Sequence, residues 1–527
     1  MNRYLVEMDV VNPSNRVVET LYFTSGSQMP PFLGTDKDRP NQFYDPKVTD
    51  LNGVSRSMFH PGRTYGQSSL DGGLVTLNNA DGSLDYLYEY GYSGRKIAVY
   101  FGDGATFSDY KLIFSGVIDE IDFSYSRSGS GDIVLTVRSL KKLFDKSIQT
   151  NAYQGTNSGS TGNEGESDSS IVNQLKPLCF GEVKNITPVL VNYAGLRYQV
   201  HDGEIENVTA VYANGAALVE DVSNPPAAGK YYVDKTLGII TLGTAPAGEL
   251  ITCDVKGAKL GSPATYYNKA SDIIIAVLRS YYGMSDSEID TASFDTLATN
   301  APYVVGVYLS EITAPDKEQN ATLTYTSIFD KLLDSIGSFW TFNNQNKFTV
   351  GQFDVPDNVS PIVSFNEDEI IDISLIKNSD ENRGVPLATL DLHGEFNFTV
   401  QASGLAGSVI ASRIEWLKNQ TRKVSKFNSN NGIIYNADIA VISRDTFITN
   451  ISDVDTEAAR LMVIYETSRK FFRVVFDQTV LPTNLDINTV ITLVFPRFNL
   501  TNGKKFLVMG IKNNYPEINQ AELELYG

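Results

Sequence analysis

The chain has 527 residues and a formal net charge of −19, with 43 Lys and Arg against 62 Asp and Glu, so the molecule as a whole repels a phosphate backbone and nucleic-acid binding is disfavoured. Cys179 and Cys253 are the only cysteines, which excludes a four-cysteine zinc or iron–sulfur site and fits free buried thiols in a reducing place of synthesis. No run of about 18 apolar residues is present to span a membrane, and the amino terminus alternates like a strand and carries acids instead of the apolar core of a signal peptide, so synthesis in a cytoplasm is expected.

At this length about three or four domains are expected, and 28 Tyr with 27 Phe suit half-buried strands and extended interfaces. Residues 1–150 read as an N-terminal β domain, with strands near Tyr4–Val10, Leu74–Leu77, Lys96–Phe101, Leu112–Phe123 and Asp132–Val137. A long Pro-, Gly- and Tyr-rich loop over 26–70 separates the first two, and loops of that length are functional or touch another subunit. Residues 151–175 have the Gly/Ser composition of a flexible linker. A small all-β module over 176–260 follows, with turn signals at Asp202-Gly203, Asn214-Gly215 and Pro225-Pro226, reading as a sandwich or barrel.

Residues 261–360 change character and form an α+β connector. Ile274, Val277, Leu278 and Tyr281 share one helical face and Gly283 stops it. A second helix over 327–336 carries Ile328, Phe329, Leu332, Leu333 and Ile336, with Gly337 as terminator. Two alternating runs then flank an Asn-rich turn in Ser338–Val350, a hairpin signal. Residues 361–527 read as a C-terminal β domain with one helix, opened by Asp453 or Asp455 and striped by Ala458, Leu461, Met462 and Tyr465. The fold class is therefore mainly β and multidomain: barrel or sandwich domains at both ends, a small inserted β module and a central α+β connector.

No constellation for chemistry stands out. His60, His201 and His393 each lie alone in a different region and read as turn or surface histidines. No zinc-protease, redox, nucleophile-elbow or phosphate-loop motif is present, and Gly102-Asp-Gly104 lacks the lysine and helix of a phosphate cradle, so it reads as a hairpin turn. Asp119-Glu120-Ile-Asp122 and Glu367-Asp368-Glu369 are the densest acidic clusters. Either could serve as a glycosidase pair or hold calcium, but neither has a calcium-loop pattern, and a solvated strand end is the plainer reading. Phe339, Trp340 and Phe342 suggest sugar stacking, yet alternate aromatics beside an apolar helix are core. No catalytic, cofactor-binding or metal-binding residue is assigned, and no cofactor is expected.

The segments Cys179-Phe-Gly-Glu-Val-Lys-Asn-Ile-Thr-Pro188, Tyr198–Gly203, Val211–Gly215, Ser115–Asp119, Gln149–Asn157 and Phe495-Pro-Arg-Phe498, with Gly503, Phe506, Val508 and Gly510, resemble the tail-tip or baseplate hub proteins of long-tailed bacteriophages. Related prophages and gene-transfer-agent-like particles carry the same family. The resemblance implies a structural virion protein at the tail tip: a homotrimeric ring in which two β barrels per chain match a sixfold tail tube. A tail tube or distal tail protein would lie above it, tip, fibre or receptor-binding proteins below, and DNA would pass the lumen without specific binding. Some hubs hold an iron–sulfur cluster on four cysteines; with two, this chain does not inherit it. The alternative, resting on carboxylates and aromatics alone, is a tail-associated polysaccharide-binding or polysaccharide-degrading protein.

Overall fold

The computed structural model describes residues 2–527 except 67–68, 70, 128, 159–163, 313–323, 382, 437, 439 and 516–518. It is mainly β and multidomain. The first barrel comprises β1 (Arg3–Val11), β2 (Val18–Ser25), β3 (Asp45–Ser57), β4 (Gly72–Asn78), β5 (Lys96–Gly102), β6 (Tyr110–Tyr125) and β7 (Gly131–Ser139). Their spatial order is β2-β1-β5-β6-β7-β4-β3, and the barrel closes where β2 meets β3. Period-two alternation fills it, with Tyr4, Val6, Met8 and Val10 of β1 all buried in its core.

The sequence pattern predicts neither β2 nor β3, and it places β3 inside the supposed long loop. The inward residues of β3 are Val48, Leu51 and Val54, at every third position. One register shift lies between Val48 and Asp50, another between Leu51 and Val54; each extra residue flips the strand's parity. A search for alternation passes over such a strand. The part of the loop before β3 covers the barrel's outside, where Met29, Phe32 and Tyr44 pack on Leu5 and Tyr110. Buried Glu7 fastens it, accepting from Tyr44 Oη at 2.5 Å and from Arg39 Nε and Nη2 at 2.7 and 2.8 Å.

A second, open barrel is assembled from strands far apart in the chain: Ile370–Ile376, Phe471–Asp477, Gln520–Tyr526, Lys504–Tyr515, Val490–Leu493 and Val363–Phe365, in that spatial order, and among the described residues no pairing joins its two end strands. Five of the six repeat the first barrel's β3, β4, β7, β6 and β5 with the same neighbours and directions. The registers agree residue by residue. Gly72 to Asn78 pair with Arg138 to Asp132, as Phe471 to Asp477 pair with Tyr526 to Gln520. The bulge of β6 after Ile118 recurs after Val508, and the bulge of β3 after Val48 recurs after Ile370. Even the left-handed residue before β5 recurs: Gly94 (φ 72°) donates to Ile118 O, and Asn488 (φ 68°) donates to Val508 O. Two differences stand out: the second barrel has no β2, and its Val363–Phe365 runs parallel to its neighbour where β1 runs antiparallel.

Residues 377–470, between the strands equivalent to β3 and β4, hold an inserted three-stranded sheet, Arg422–Phe427, Thr389–Gly394 and Val441–Asp445, the last two parallel. With it come α4 (Ala411–Leu417), α5 (Ser429–Ile434) and α6 (Ile451–Tyr465). The sequence reading has one helix here, opened by Asp453 or Asp455. The described residues hold three α-helices, and α6 begins at Ile451 after Asn450, with Asp453 in its first turn. The two short helices have seven and six residues, too few for a periodic stripe to register.

Between the barrels lie a sandwich and the α+β centre. In the sandwich, strands Leu178–Ile186, Ile205–Ala213 and Ile251–Leu260 face Arg197–Gln199, Ile239–Leu242 and Lys230–Asp234 across a core of Val183, Val208, Val255, Tyr198, Val233 and Ile240. Its first sheet also takes strand Gly306–Leu309 from beyond residue 260, paired with Leu178–Gly181. The described residues of 151–175 pack instead of trailing: Tyr153 and Ile171 bury with Val189 and Val191, and Tyr153 Oη donates to Gln199 Oε1 at 2.7 Å.

In the centre, α1 (Ala270–Val277) continues as a π turn to Tyr282 and stops at Gly283 (φ 82°). Next come α2 (Thr291–Asn300), which the sequence reading lacks, and α3 (Tyr325–Asp334), capped by Thr324 and ended before Gly337. Strands Ser338–Phe342 and Phe348–Gln352 form the expected hairpin. Phe339, Trp340 and Phe342 are core, as their spacing beside α3 suggests. Trp340 stacks on Phe348 at 5.2 Å and Phe144 on Tyr282 at 4.4 Å, while Trp340 Nε1 donates to Asp330 at 2.7 Å. This one core also takes Phe59 from the first barrel's β3–β4 connection, Met509 and Tyr526 from the second barrel, and Leu390 from the insertion.

Because Trp340 is 1% exposed among aromatic neighbours, Trp340→Ala is expected to cost about 3–5 kcal/mol, read as a fall in the denaturant midpoint. Asp330→Ala should cost less, about 1–3 kcal/mol, by leaving the indole N–H buried without its partner.

Candidate functional site: the seam between the two barrels

The two barrels are joined edge to edge. The last part of β3 pairs antiparallel with Lys504–Tyr515, Val54 facing Asn513, Ser55 facing Lys512, Arg56 facing Ile511 and Ser57 facing Gly510, so both barrels belong to one thirteen-stranded sheet. β3 therefore serves two barrels, and close packing lets it. At Gly73 on the neighbouring β4, an added Cβ would lie 2.6 Å from the Val54 amide nitrogen, so only glycine fits the strand there.

Arg56 is the polar anchor of this seam. Its Nη1 lies 3.0 Å from Asp486 Oδ1 and donates to Phe342 O at 3.1 Å, while Asp486 Oδ2 accepts from Asn344 N at 2.6 Å. First barrel, second barrel and central hairpin are thus tied through a guanidinium whose side chain is 11% exposed. One residue on, Ser57 donates through N and Oγ to buried Asp71 at 2.7 and 2.8 Å, and its carbonyl accepts from the buried Lys141 ammonium at 3.2 Å. Burial pushes the Asp71 carboxyl up and the Lys141 ammonium down from their ordinary values, and the attraction between the two opposes both shifts. Beside them a cavity of about 280 Å³ opens on the seam, lined among others by Arg56, Asp71, Arg473, Lys512, Glu522 and Glu524. Glu524 accepts from Gly62 N at 2.7 Å, and burial raises its carboxyl.

The residues weighed from sequence are scattered. His60 is exposed. His393 sits half-buried between Thr421 Oγ1 at 3.3 Å and Ser443 Oγ at 3.2 Å. His201 departs from the surface expectation: it is 2% exposed, and its Nδ1 accepts from Cys179 N at 3.1 Å. Cys179 and Cys253 are buried free thiols. Asp119 lies in the bulge of β6, 3.3 Å from Arg138, with Glu120 and Asp122 exposed. Glu367, Asp368 and Glu369 form an exposed turn in which Glu369 bonds back to Asn366 N, and Gly102–Gly104 opens the β5–β6 connection. Among the described residues no three His, Cys, Asp or Glu side chains gather as a metal site. Arg56 and Asp486 went unnoticed at the sequence level because nothing marks a lone Arg between two serines as the partner of an Asp 430 positions later.

No protein-family model matches the chain, and no curated protein matches its sequence. Solved structures that align with the chain include phage and prophage tail proteins. A 43 kDa prophage tail protein from Shewanella oneidensis aligns over 100% of this chain and 98% of its own, with 10% identity and a TM-score of 0.40. A tail protein from Neisseria meningitidis covers 99% and 96%, with 10% identity and a TM-score of 0.39. A prophage tail protein from Listeria monocytogenes covers 99% and 94%, with 7% identity and a TM-score of 0.38.

Burial holds the His201 imidazole down at about 4, against an ordinary value near 6.5. The unfolded chain then binds the proton first, so stability is full above about pH 6.5 and falls as pH drops, by on the order of 3 kcal/mol at pH 4. His201→Gln should flatten that part of the pH dependence of the melting temperature relative to the parent chain.

Proposed function

We propose that the chain is a structural tail protein of the long-tailed phage type, and specifically the hub that joins the tail tube to the host-contacting tip. The observation that carries this reading is the double barrel: two barrels with five matched strands in the same order and two matching bulges, set side by side in one sheet. Three such chains offer six near-equivalent seats to a sixfold tube, and a closed ring is how heterologous contacts of this kind terminate. The resemblance of the Cys179–Pro188 and Phe495–Phe498 segments to hub proteins supports the same assignment. The formal charge of −19 makes an acidic lumen easy to build, along which DNA slides because like charges repel.

A structural role without catalysis is the corresponding reading of the side chains. The aromatic patch that could have stacked sugars is buried around Trp340, and the two acidic clusters lie exposed in a strand bulge and a turn. Tail tube or distal tail protein above and tip proteins below are the partners this places around the ring.

Sedimentation or mass photometry of the purified chain at micromolar concentration should show a species of three times the 58.0 kDa chain mass. Arg56→Ala is expected to lower both thermal stability and the trimer fraction, since it leaves Asp486 buried without its cation. A chain that stays monomeric at every concentration, or turns over peptidoglycan or capsular sugar, contradicts the proposal.

A further inference from the structure

The two barrels leave two unlike edges open. In the second barrel, strand Ile370–Ile376 pairs with Phe471–Asp477 on one side, and among the described residues no strand pairs with the other. Ile371 and Leu375 on it are 49% and 54% exposed. In the first barrel, β5 leaves β6 after Val117, and from Glu120 to Tyr125 that side of β6 has no partner strand among the described residues. Phe123 and Tyr125 there are 36% and 74% exposed, and Tyr88 stands against Phe123 at 5.9 Å. Apolar strand edges of this kind are sites of association unless something covers them.

The equivalence of the barrels says what covers each. Ile370–Ile376 stands where β3 stands in the first barrel, and Glu120–Tyr125 stands where Gly510–Tyr515 stands in the second. Within the chain, β3 and Gly510–Tyr515 are the strands that pair. We propose that strand Ile370–Ile376 of one copy pairs antiparallel with Glu120–Tyr125 of β6 in the next, repeating between copies the seam made within each chain. The inference rests on the ring reading above and names the contact that closes the ring.

Carrying the register of the internal seam across fixes the partners. Leu51 opposite Tyr515 becomes Ile373 opposite Tyr125; the internal seam then shifts register between Leu51 and Val54, whereas Ile373–Ile376 is paired without a shift, so Leu375 comes opposite Phe123. The Leu375–Phe123 pair buries exposed side chains from both edges. The acidic cluster of β6 thereby acquires a role as the receiving edge.

The test is cross-linking of the full chain. Directly opposed residues of an antiparallel pair have Cβ atoms about 4.5–5.5 Å apart, close enough for a disulfide, and the native cysteines are buried. Under mild oxidation, Leu375→Cys with Phe123→Cys in one chain should give intermolecular bands up to a covalent trimer, while either substitution alone gives none. Ile373→Cys with Tyr125→Cys is a second pair should the first fold poorly. A wild-type trimer in which neither cysteine pair cross-links overturns this contact while leaving the ring. A wild-type chain that is monomeric at tens of micromolar and never cross-links overturns both, and cross-linking by one cysteine substitution alone overturns the head-to-tail arrangement.

Discussion

The structure depends on a single shared strand. β3 closes the first barrel through β2, pairs from Val48 to Asn52 with β4, and then crosses to Lys504–Tyr515 of the second. One strand can serve so many neighbours only if its side chains turn from one face to the other along the way, and the two bulges supply those turns. The Arg56–Asp486 pair and the Asp71–Ser57–Lys141 cluster sit just after the second bulge, where polar groups must enter the interior and must therefore be satisfied there. Seam geometry and buried charge are two consequences of the same parity change.

The same devices explain what the sequence shows and what it hides. Ile274, Ile328, Phe329 and Trp340 announced α1, α3 and the hairpin because helical and two-residue periods survive there undisturbed. β3 was invisible because its inward residues recur in threes. The likeness of the barrels was hidden for a related reason: what the two halves keep in common is backbone register, while the side chains at matched positions differ, as at Gly72 and Phe471 or Asp122 and Lys512. Pairing with opposite neighbours is a property of strands in contact, and no single stretch of residues records it. At the seam, Arg56 looked like any surface arginine because its acid lies in the other half of the chain.

The insertions follow from the same plan. In both barrels the connection after the β3-type strand leaves toward the centre of the molecule. In the first it is the short stretch carrying Met58, Phe59 and Tyr65; in the second it is the whole of 377–470. Tyr65 lies under Arg444 at 4.3 Å, and Thr64 donates to Asp380 at 2.7 Å, so the two connections meet each other as well as the central helices. The barrels are thereby held at a fixed mutual setting by a core to which both contribute.

Image reconstruction of the assembled ring by electron cryomicroscopy tests the central claim most directly. The account predicts six barrels around one axis from three chains, alternating first and second, with strands Ile370–Ile376 and Glu120–Tyr125 continuous between neighbouring copies. Barrels facing away from the axis, or one barrel type alone surrounding it, would contradict it.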